Sequence, residues 1–241
     1  QLAKMRKKKT NKRRTRPQEE EDEVVCCDTL GPLAPSKNGN KYVMFMGNRN
    51  LFVPYFTKTK SAAYPKTKEY FAMIDRQHGK DFIRKFRGDN EFSNNNSLQE
   101  YFAKEGIITE FTTSHNPSQN GRAERFNLTV MNMARAMLIE SDLSLSFWEY
   151  AVKHATYILN RLSSTSDTHQ RSGYERVYNK KPDLSNIRSF GETCYRKIPD
   201  KTKKLHYRSH KCQFLCIDEQ RKDAAYVYDL TDRKIIPAHG I

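Results

Sequence analysis

The sequence contains no apolar run approaching the length of a membrane span, and no secretory-signal pattern stands out. No membrane partner is therefore expected. Cysteine is sparse and odd in number: five residues, with Cys26 and Cys27 adjacent and Cys194, Cys212 and Cys216 scattered. No pair of Cys-x-x-Cys units exists, which argues against both a disulfide framework and a zinc site made within this chain. Cys212 and Cys216, four apart, are the nearest approach to a half-site. A reduced, intracellular compartment fits best. No repeat of 20–50 residues is visible either. Acids are also short, with 28 Asp and Glu against 43 Lys and Arg in 241 residues, a formal net charge of +15. An excess of that size favours a polyanionic partner, with nucleic acid ahead of an anionic membrane surface.

What is present divides into three stretches. Residues 1–23 open with the basic run "KMRKKKTNKRRTRP" and continue into the acidic "EEEDE". Neither block has hydrophobic periodicity, so a disordered linker is expected; the basic block could bind nucleic acid or direct nuclear import. Residues 24–165 alternate strand and helix patterns. "EVVCCDTL" reads as a strand broken at Gly31-Pro32, and Tyr42–Met46 and Leu51–Thr57 read as a hairpin around a Gly/Asn turn. "AAYPKTKEYFAMIDRQHG" is a helix stopped by Gly79. "DFIRKFRGD" is a strand ending at Asp89. "SLQEYFAKEG" is a short helix with Ser97 as cap and Glu100 completing a capping box, and "IITEFTT" is a strand. Ala123, Phe126, Val130, Ala134 and Leu138 recur at helical steps over 122–138, and a second helix covers about 146–161. The order predicts an α/β unit with a mixed sheet. Residues 166–241 read as a linker followed by short strands, a small barrel-like β module.

Three carboxylates stand where polar groups project from the rim of a sheet: Asp28 at the end of the first strand, Asp89 at the end of a later one, and Glu124 at the start of a helix after a Pro/Gly loop. They are separated by 61 and 35 positions. Three acids from separate elements can converge on hard divalent cations, Mg²⁺ or Mn²⁺. Two such ions about 3.5–4 Å apart support phosphoryl transfer, and a basic surface would hold a phosphodiester beside them. Spacing alone leaves other triples open among 28 acids, and Glu124 is equally intelligible as a dipole partner of its helix.

The ordered words "CDTLGPL", "FRGDNEF", "SQNGRAERFN", "FWEYAVKHATYILNR" and "KKPDLSNIRSFG" resemble the integrase of copia-type LTR retrotransposons, part of a retrovirus-related Pol polyprotein, from about residue 24 to 241. The resemblance implies a ribonuclease-H-like integrase core with a mixed sheet, followed by a small SH3-like β domain. It implies an Asp, Asp, Glu triad, which falls on Asp28, Asp89 and Glu124 as catalytic and metal-binding residues. It also implies Mg²⁺ or Mn²⁺ as cofactor, element ends and target DNA as substrates, nuclear location, and a homo-oligomer if active. The "NPSQNG" segment is similar to the family's active-site loop. Gln119, Asn120, Arg122 and Arg125 become candidate DNA contacts, joined by Lys201, Lys203 and Lys204 in the C-terminal module.

The pattern also departs from the family. "RGDNEF" lacks the two glycines usual after Asp-Asn, a shortening expected to move or stiffen the turn at Asp89. Gly47 and Asn48 stand where acids are usual, and Cys216 where a glycine is. The family's His/Cys zinc domain is not seen, and the chain starts like the segment that follows it. The alternative expectation is therefore a retroelement-derived DNA-binding protein, or a fragment, that has lost catalysis.

Overall fold

A computed structural model describes residues 23–48, 51–79, 82–112, 121–163, 169–198 and 208–241. The first sheet has the order β3-β2-β1-β4-β5. Its strands are β1 (Val24–Leu30), β2 (Tyr42–Gly47), β3 (Phe52–Thr57), β4 (Lys85–Asp89) and β5 (Ile108–Thr112). β1, β2 and β3 pair antiparallel, whereas β1–β4 and β4–β5 are parallel, so the sheet is mixed as expected. β1 is central and apolar on both faces, which is why "VVCC" lacks the usual alternation with polar residues. Val24 and Cys26 face one hydrophobic cluster, and Val25 and Cys27 the other. Pro54, which cannot donate to a ladder, sits on the edge strand β3, where that omission is tolerated.

Helices cover both faces. On one side lie α1 (Ala63–His78) and α2 (Asn96–Lys104), packing Tyr70, Phe71, Ile74, Leu98 and Phe102 against Phe86, Met44 and Met46. Pro65 falls in the first turn of α1, where no intrahelical N–H partner is lost. The cap of α2 is Asn95, whose side-chain oxygen accepts the N–H of Leu98 at 2.9 Å. Ser97, the residue expected there, is already inside the first turn and accepts from Lys68 Nζ at 3.1 Å. Asn wins because the chain enters from the 3₁₀ turn Asn90–Asn94, which leaves Asn95 as the last extended residue.

On the other face lie α3 (Gly121–Ser141) and α4 (Trp148–Arg161), the latter entered through the 3₁₀ turn Leu145–Phe147. α4 is buried nearly all round, with Trp148, Tyr150, Ala151, Val152, His154, Ala155 and Thr156 enclosed. A helix of that kind must have partners on both sides. The second partner is a four-stranded antiparallel meander of β6 (Thr193–Lys197), β7 (Ser209–Ile217), β8 (Ala224–Asp229) and β9 (Lys234–His239). Leu215 and Cys216 of β7 join the same cluster as Trp148, Ala151 and Val43, so the two sheets share a core through α4. Among the described residues the second sheet is an open meander rather than a closed barrel, and a short helix, α5 (Gly173–Tyr178), precedes it in the stretch read as linker and short strands.

Two buried polar centres tie α4 in place. Glu149 accepts from Ser36 Oγ (2.9 Å), Asn38 Nδ2 (3.0 Å) and Asn40 Nδ2 (3.0 Å), with Lys153 Nζ at 3.4 Å. Asn160 brackets Phe52, donating to its carbonyl at 2.8 Å and accepting its N–H at 3.1 Å. Four residues on from Cys212, Cys216 would share its face in a regular strand. A bulge between Phe214 and Cys216 turns the second thiol to the opposite cluster, which removes them as a ligand pair. All five cysteines are buried free thiols. Among the described residues no helix is long and apolar enough to cross a membrane.

Candidate active site

The parallel pairing of β1 with β4 sets Val24 beside Lys85, Val25 beside Phe86 and Cys26 beside Arg87. Carried two residues further, the same 61-position offset brings Asp28 level with Asp89. Neighbouring strands lie about 4.8 Å apart, and level residues point to the same face. The separation noted between these two acids is thus the register of the sheet. Asp28 is not the last residue of β1, which runs on to Leu30, but it lies beyond the paired segment with β4. Asp89 closes β4 and leads directly into the 3₁₀ turn. Gly88 makes that turn tight. A Cβ there would lie 2.9 Å from the Phe86 ring and 3.2 Å from Phe92, so the glycine lets Phe92 fold back onto the strand end. Both acids therefore stand at the carboxyl edge of the parallel strands, the usual ligand-binding edge of open α/β sheets.

The third acid comes from above. Even-numbered β1 residues face the cluster that contains Ala123, Val130 and Ala134 of α3, so α3 lies over the Asp28 side of the sheet. Glu124 is in the first turn of α3 and exposed. One helical step on, at i+3, buried Asn127 donates through Nδ2 to Asp28 Oδ2. The Asn127 side-chain oxygen has no partner among the described residues. Asn127 was not singled out from sequence. The signal was available, because a polar residue three positions after the acid occupies an otherwise apolar helix face.

The electrostatics show that the two aspartates lie within reach of the Glu124 charge. Burial pushes the Asp28 carboxyl up from 3.8 to about 6, and the charges of Asp89 and Glu124 add to this, while the Asn127 bond opposes it. Asp89 is raised by burial too, opposed by Lys60 and assisted by Glu91 and Glu124. Lys60, just after β3, forms an ion pair with Glu91 of the 3₁₀ turn. Arg87 and Glu110, level on β4 and β5, form a forked pair at 3.0 and 2.5 Å beside Cys26.

Oxygen donors with a net negative charge and partial burial suit a hard divalent cation, and the raised carboxyl pKa values report burial first and like charges second, both of which a cation would offset. Asp28, Asp89 and Glu124 are the residues that could hold Mg²⁺ or Mn²⁺. They are spread more widely than the His210–Asp229–Asp232 group, whose ligand atoms lie within 4.8 Å of one another. That second group is already filled by protein. Arg196 reaches Asp229 Oδ2 at 2.6 and 3.1 Å and Asp232 at 3.2 Å, and the N–H groups of Thr231 and Asp232 take the other Asp229 oxygen. Burial would raise the Asp229 carboxyl, but these bonds hold it well below the usual carboxylate range. It is a cross-strand lock on β6, β7 and β8.

Of the candidate DNA contacts, Arg122 and Arg125 flank Glu124 at the start of α3. Arg122 is half-buried with its charge felt at Cys26, and Arg125 is exposed. Gln119, Asn120, Lys201, Lys203 and Lys204 lie outside the described residues, as do the basic and acidic blocks up to residue 22.

No family model matches the chain. It is 31% identical over 226 residues to the retrovirus-related Pol polyprotein from transposon TNT 1-94 of Nicotiana tabacum, a match covering 90% of this chain and 16% of that polyprotein. It is 26% identical over 187 residues to the Pol polyprotein from transposon RE1 of Arabidopsis thaliana, covering 76% of this chain and 12% of that one. The chain thus spans a small part of the length of each relative. Among solved structures, a chain of the simian T-cell lymphotropic virus intasome in complex with PP2A regulatory subunit B56 gamma superposes with a TM-score of 0.50 at 13% identity, over 90% of this chain and 76% of that one. That likeness is one of fold. A mixed five-stranded sheet between helical layers, with a second antiparallel sheet after it, is the ribonuclease-H-like architecture that the motifs implied.

Proposed function

The chain belongs to the retrovirus-related Pol polyproteins of copia-type transposons, and from that membership we propose that it is an integrase-type polynucleotidyl transferase acting on DNA. The observation that carries the proposal is the convergence of Asp28, Asp89 and Glu124 at the carboxyl edge of β1 and β4 beneath the start of α3, close enough that the charge of Glu124 is felt at both aspartates and that of Asp89 at Asp28. In this reading residues 24–165 are the catalytic core and 166–241 a linker and SH3-like module.

Asp28, Asp89 and Glu124 would hold the metal between them. Bound Mg²⁺ or Mn²⁺ would supply Lewis acidity toward the phosphoryl oxygen and stabilise the leaving oxygen. Asn127 holds one Asp28 oxygen in place from the helix above, so the carboxylate does not have to be ordered when substrate arrives. Arg122 and Arg125 present positive charge to a strand backbone at the same helix start, where the peptide dipoles also favour phosphate. In the first step, water attacks a phosphodiester near the element end. A P–O bond forms as another breaks, leaving a 3′-hydroxyl and a 5′-phosphate. In the second, that hydroxyl attacks a target phosphodiester. It loses its proton as the new P–O bond forms, and the displaced 3′-oxygen takes one up. The number of phosphodiester bonds is unchanged in joining, so no nucleotide cofactor is needed. Joining two DNA ends calls for at least two copies, and we place the reaction in the nucleus.

Strand-transfer and disintegration assays on labelled oligonucleotides, with Mg²⁺ or Mn²⁺, test this. Joining by the wild type should fall at least about 100-fold in Asp89→Asn and in Glu124→Gln, with oligonucleotide binding retained. Undiminished joining in Glu124→Gln would remove that residue from the site. DNA binding without joining, in a folded protein, would favour a second reading: a DNA-binding descendant of an integrase. The pairing of Glu91 with Lys60 on the turn that follows Asp89 is the observation on that side.

A further inference from the structure

Resting on the metal-site reading above, we propose that Lys60 is a resident counter-ion of the second carboxylate, one that lowers divalent-cation affinity and must yield when the ion binds.

Packing, rather than the ion pair itself, brings Lys60 to this place. Lys60 lies between β3 and α1 in a turn closed by its own bonds. Thr57 Oγ1 donates to the Thr59 carbonyl at 2.9 Å, and the Lys60 carbonyl accepts the Ala63 N–H at 3.0 Å. Immediately beyond, Tyr64 meets Phe92 edge-on with ring centroids 5.5 Å apart. Phe92 belongs to the 3₁₀ turn that starts at Asp89, and its carbonyl accepts from Gln99 Nε2 at 2.9 Å. The start of α1 is therefore packed on the turn that carries Asp89 and Glu91. The ammonium of Lys60 is delivered to Glu91 on the rim of the site.

The charge inventory gives this contact its meaning. Four carboxylates, Asp28, Asp89, Glu91 and Glu124, border the same edge. Lys60 is a cation felt at Asp89, and its side chain is 40% exposed, so it can swing away without unburying a core. Partial burial pulls the ammonium pKa down, but the bond and charge of Glu91, with Asp89 behind, outweigh this and leave it raised. The lysine is thus a fixed positive charge across the whole working pH range. Before an ion arrives it offsets part of the carboxylate repulsion. Once an ion is coordinated by Asp89, the same ammonium becomes a like-charge neighbour. The 3₁₀ turn begins directly after Asp89, which places Glu91, and hence its partner, next to it.

The test is Mn²⁺ binding by the full chain without DNA, read from the free-Mn²⁺ electron paramagnetic resonance signal at low ionic strength and above the Asp28 pKa. Lys60→Met should bind Mn²⁺ about threefold or more tightly than wild type, and Lys60→Glu more tightly again. The difference should shrink as salt is raised. Lys222→Met, at the β7–β8 turn, makes the same change in net charge and should leave affinity unaltered. Equal affinity in Lys60→Met and wild type would overturn the inference alone, provided that Asp28→Asn abolishes binding. Unchanged Mn²⁺ affinity with weakened oligonucleotide binding would also overturn it, assigning Lys60 to a substrate phosphate instead. Absence of Asp28-dependent Mn²⁺ binding in wild type would overturn the metal reading, and this inference with it.

Discussion

Replacing Asp28 by asparagine should make the metal-free protein more stable, although it removes a proposed metal ligand. The Asp28 carboxyl titrates at about 6 rather than 3.8 because of burial and the charges of Asp89 and Glu124. A folded-state pKa above the unfolded one means that the native state holds more protons between those values. Stability therefore falls as pH rises through that window, and the full penalty is present above it. A shift of about two units corresponds to roughly 3 kcal/mol at 1.36 kcal/mol per unit. An asparagine side chain in place of the Asp28 carboxylate cannot ionise. It can still accept from Asn127 Nδ2, and its own amide can serve the Asn127 oxygen that otherwise has no described partner. We expect Asp28→Asn to gain about 2–3 kcal/mol in EDTA at pH 8 and close to nothing at pH 4. Saturating Mg²⁺ should then stabilise only the wild type, by about 2.7 kcal/mol at a hundredfold excess over Kd. Urea unfolding followed by the fluorescence of Trp148, the sole tryptophan and a buried one, reads both proteins in each condition. A gain of the same size at both pH values would show a packing effect and refute the charge argument. A loss at pH 8 would refute it outright.

Two further predictions concern what holds the site up. Glu149→Ala leaves the donors of Ser36, Asn38 and Asn40 without their shared acceptor. It should cost about 3 kcal/mol in urea unfolding, with Glu149→Gln costing less than half of that. Gly88→Ala drives a methyl to 2.9 Å from the Phe86 ring at the base of Asp89. It should destabilise by about 1–3 kcal/mol and weaken Mn²⁺ binding, whereas an unaltered unfolding midpoint would show that the Phe86–Phe92 contact can open freely.

Much of the fold was legible in local pattern. The run "EVVCCDTL" announces a strand, and the three- and four-residue steps from Ala123 to Leu138 announce a helix, because side-chain period is a property of each element alone. The acids Asp28, Asp89 and Glu124 were legible as rim positions, and their motif words as family words. Asn95 was not preferred over Ser97 as a cap, because the choice depends on the turn that feeds the helix. Three relations were decided only by tertiary structure: the hydrogen bond from Asn127 to Asp28, the ion pair of Lys60 with Glu91, and the joining of β7 to the α4 core. In each, the partners lie 31 or more residues apart, and the pairing follows from sheet register or from one element packing on another. The bulge at Phe214–Cys216 makes the same point within one strand, since a single extra residue reverses which face a thiol serves. Sequence by itself thus determined which residues could form the site and which face of its own element each would occupy. The distances and charges among them were decided by the parallel register of β1 with β4, the seating of α3 above it, and the turn that Gly88 allows.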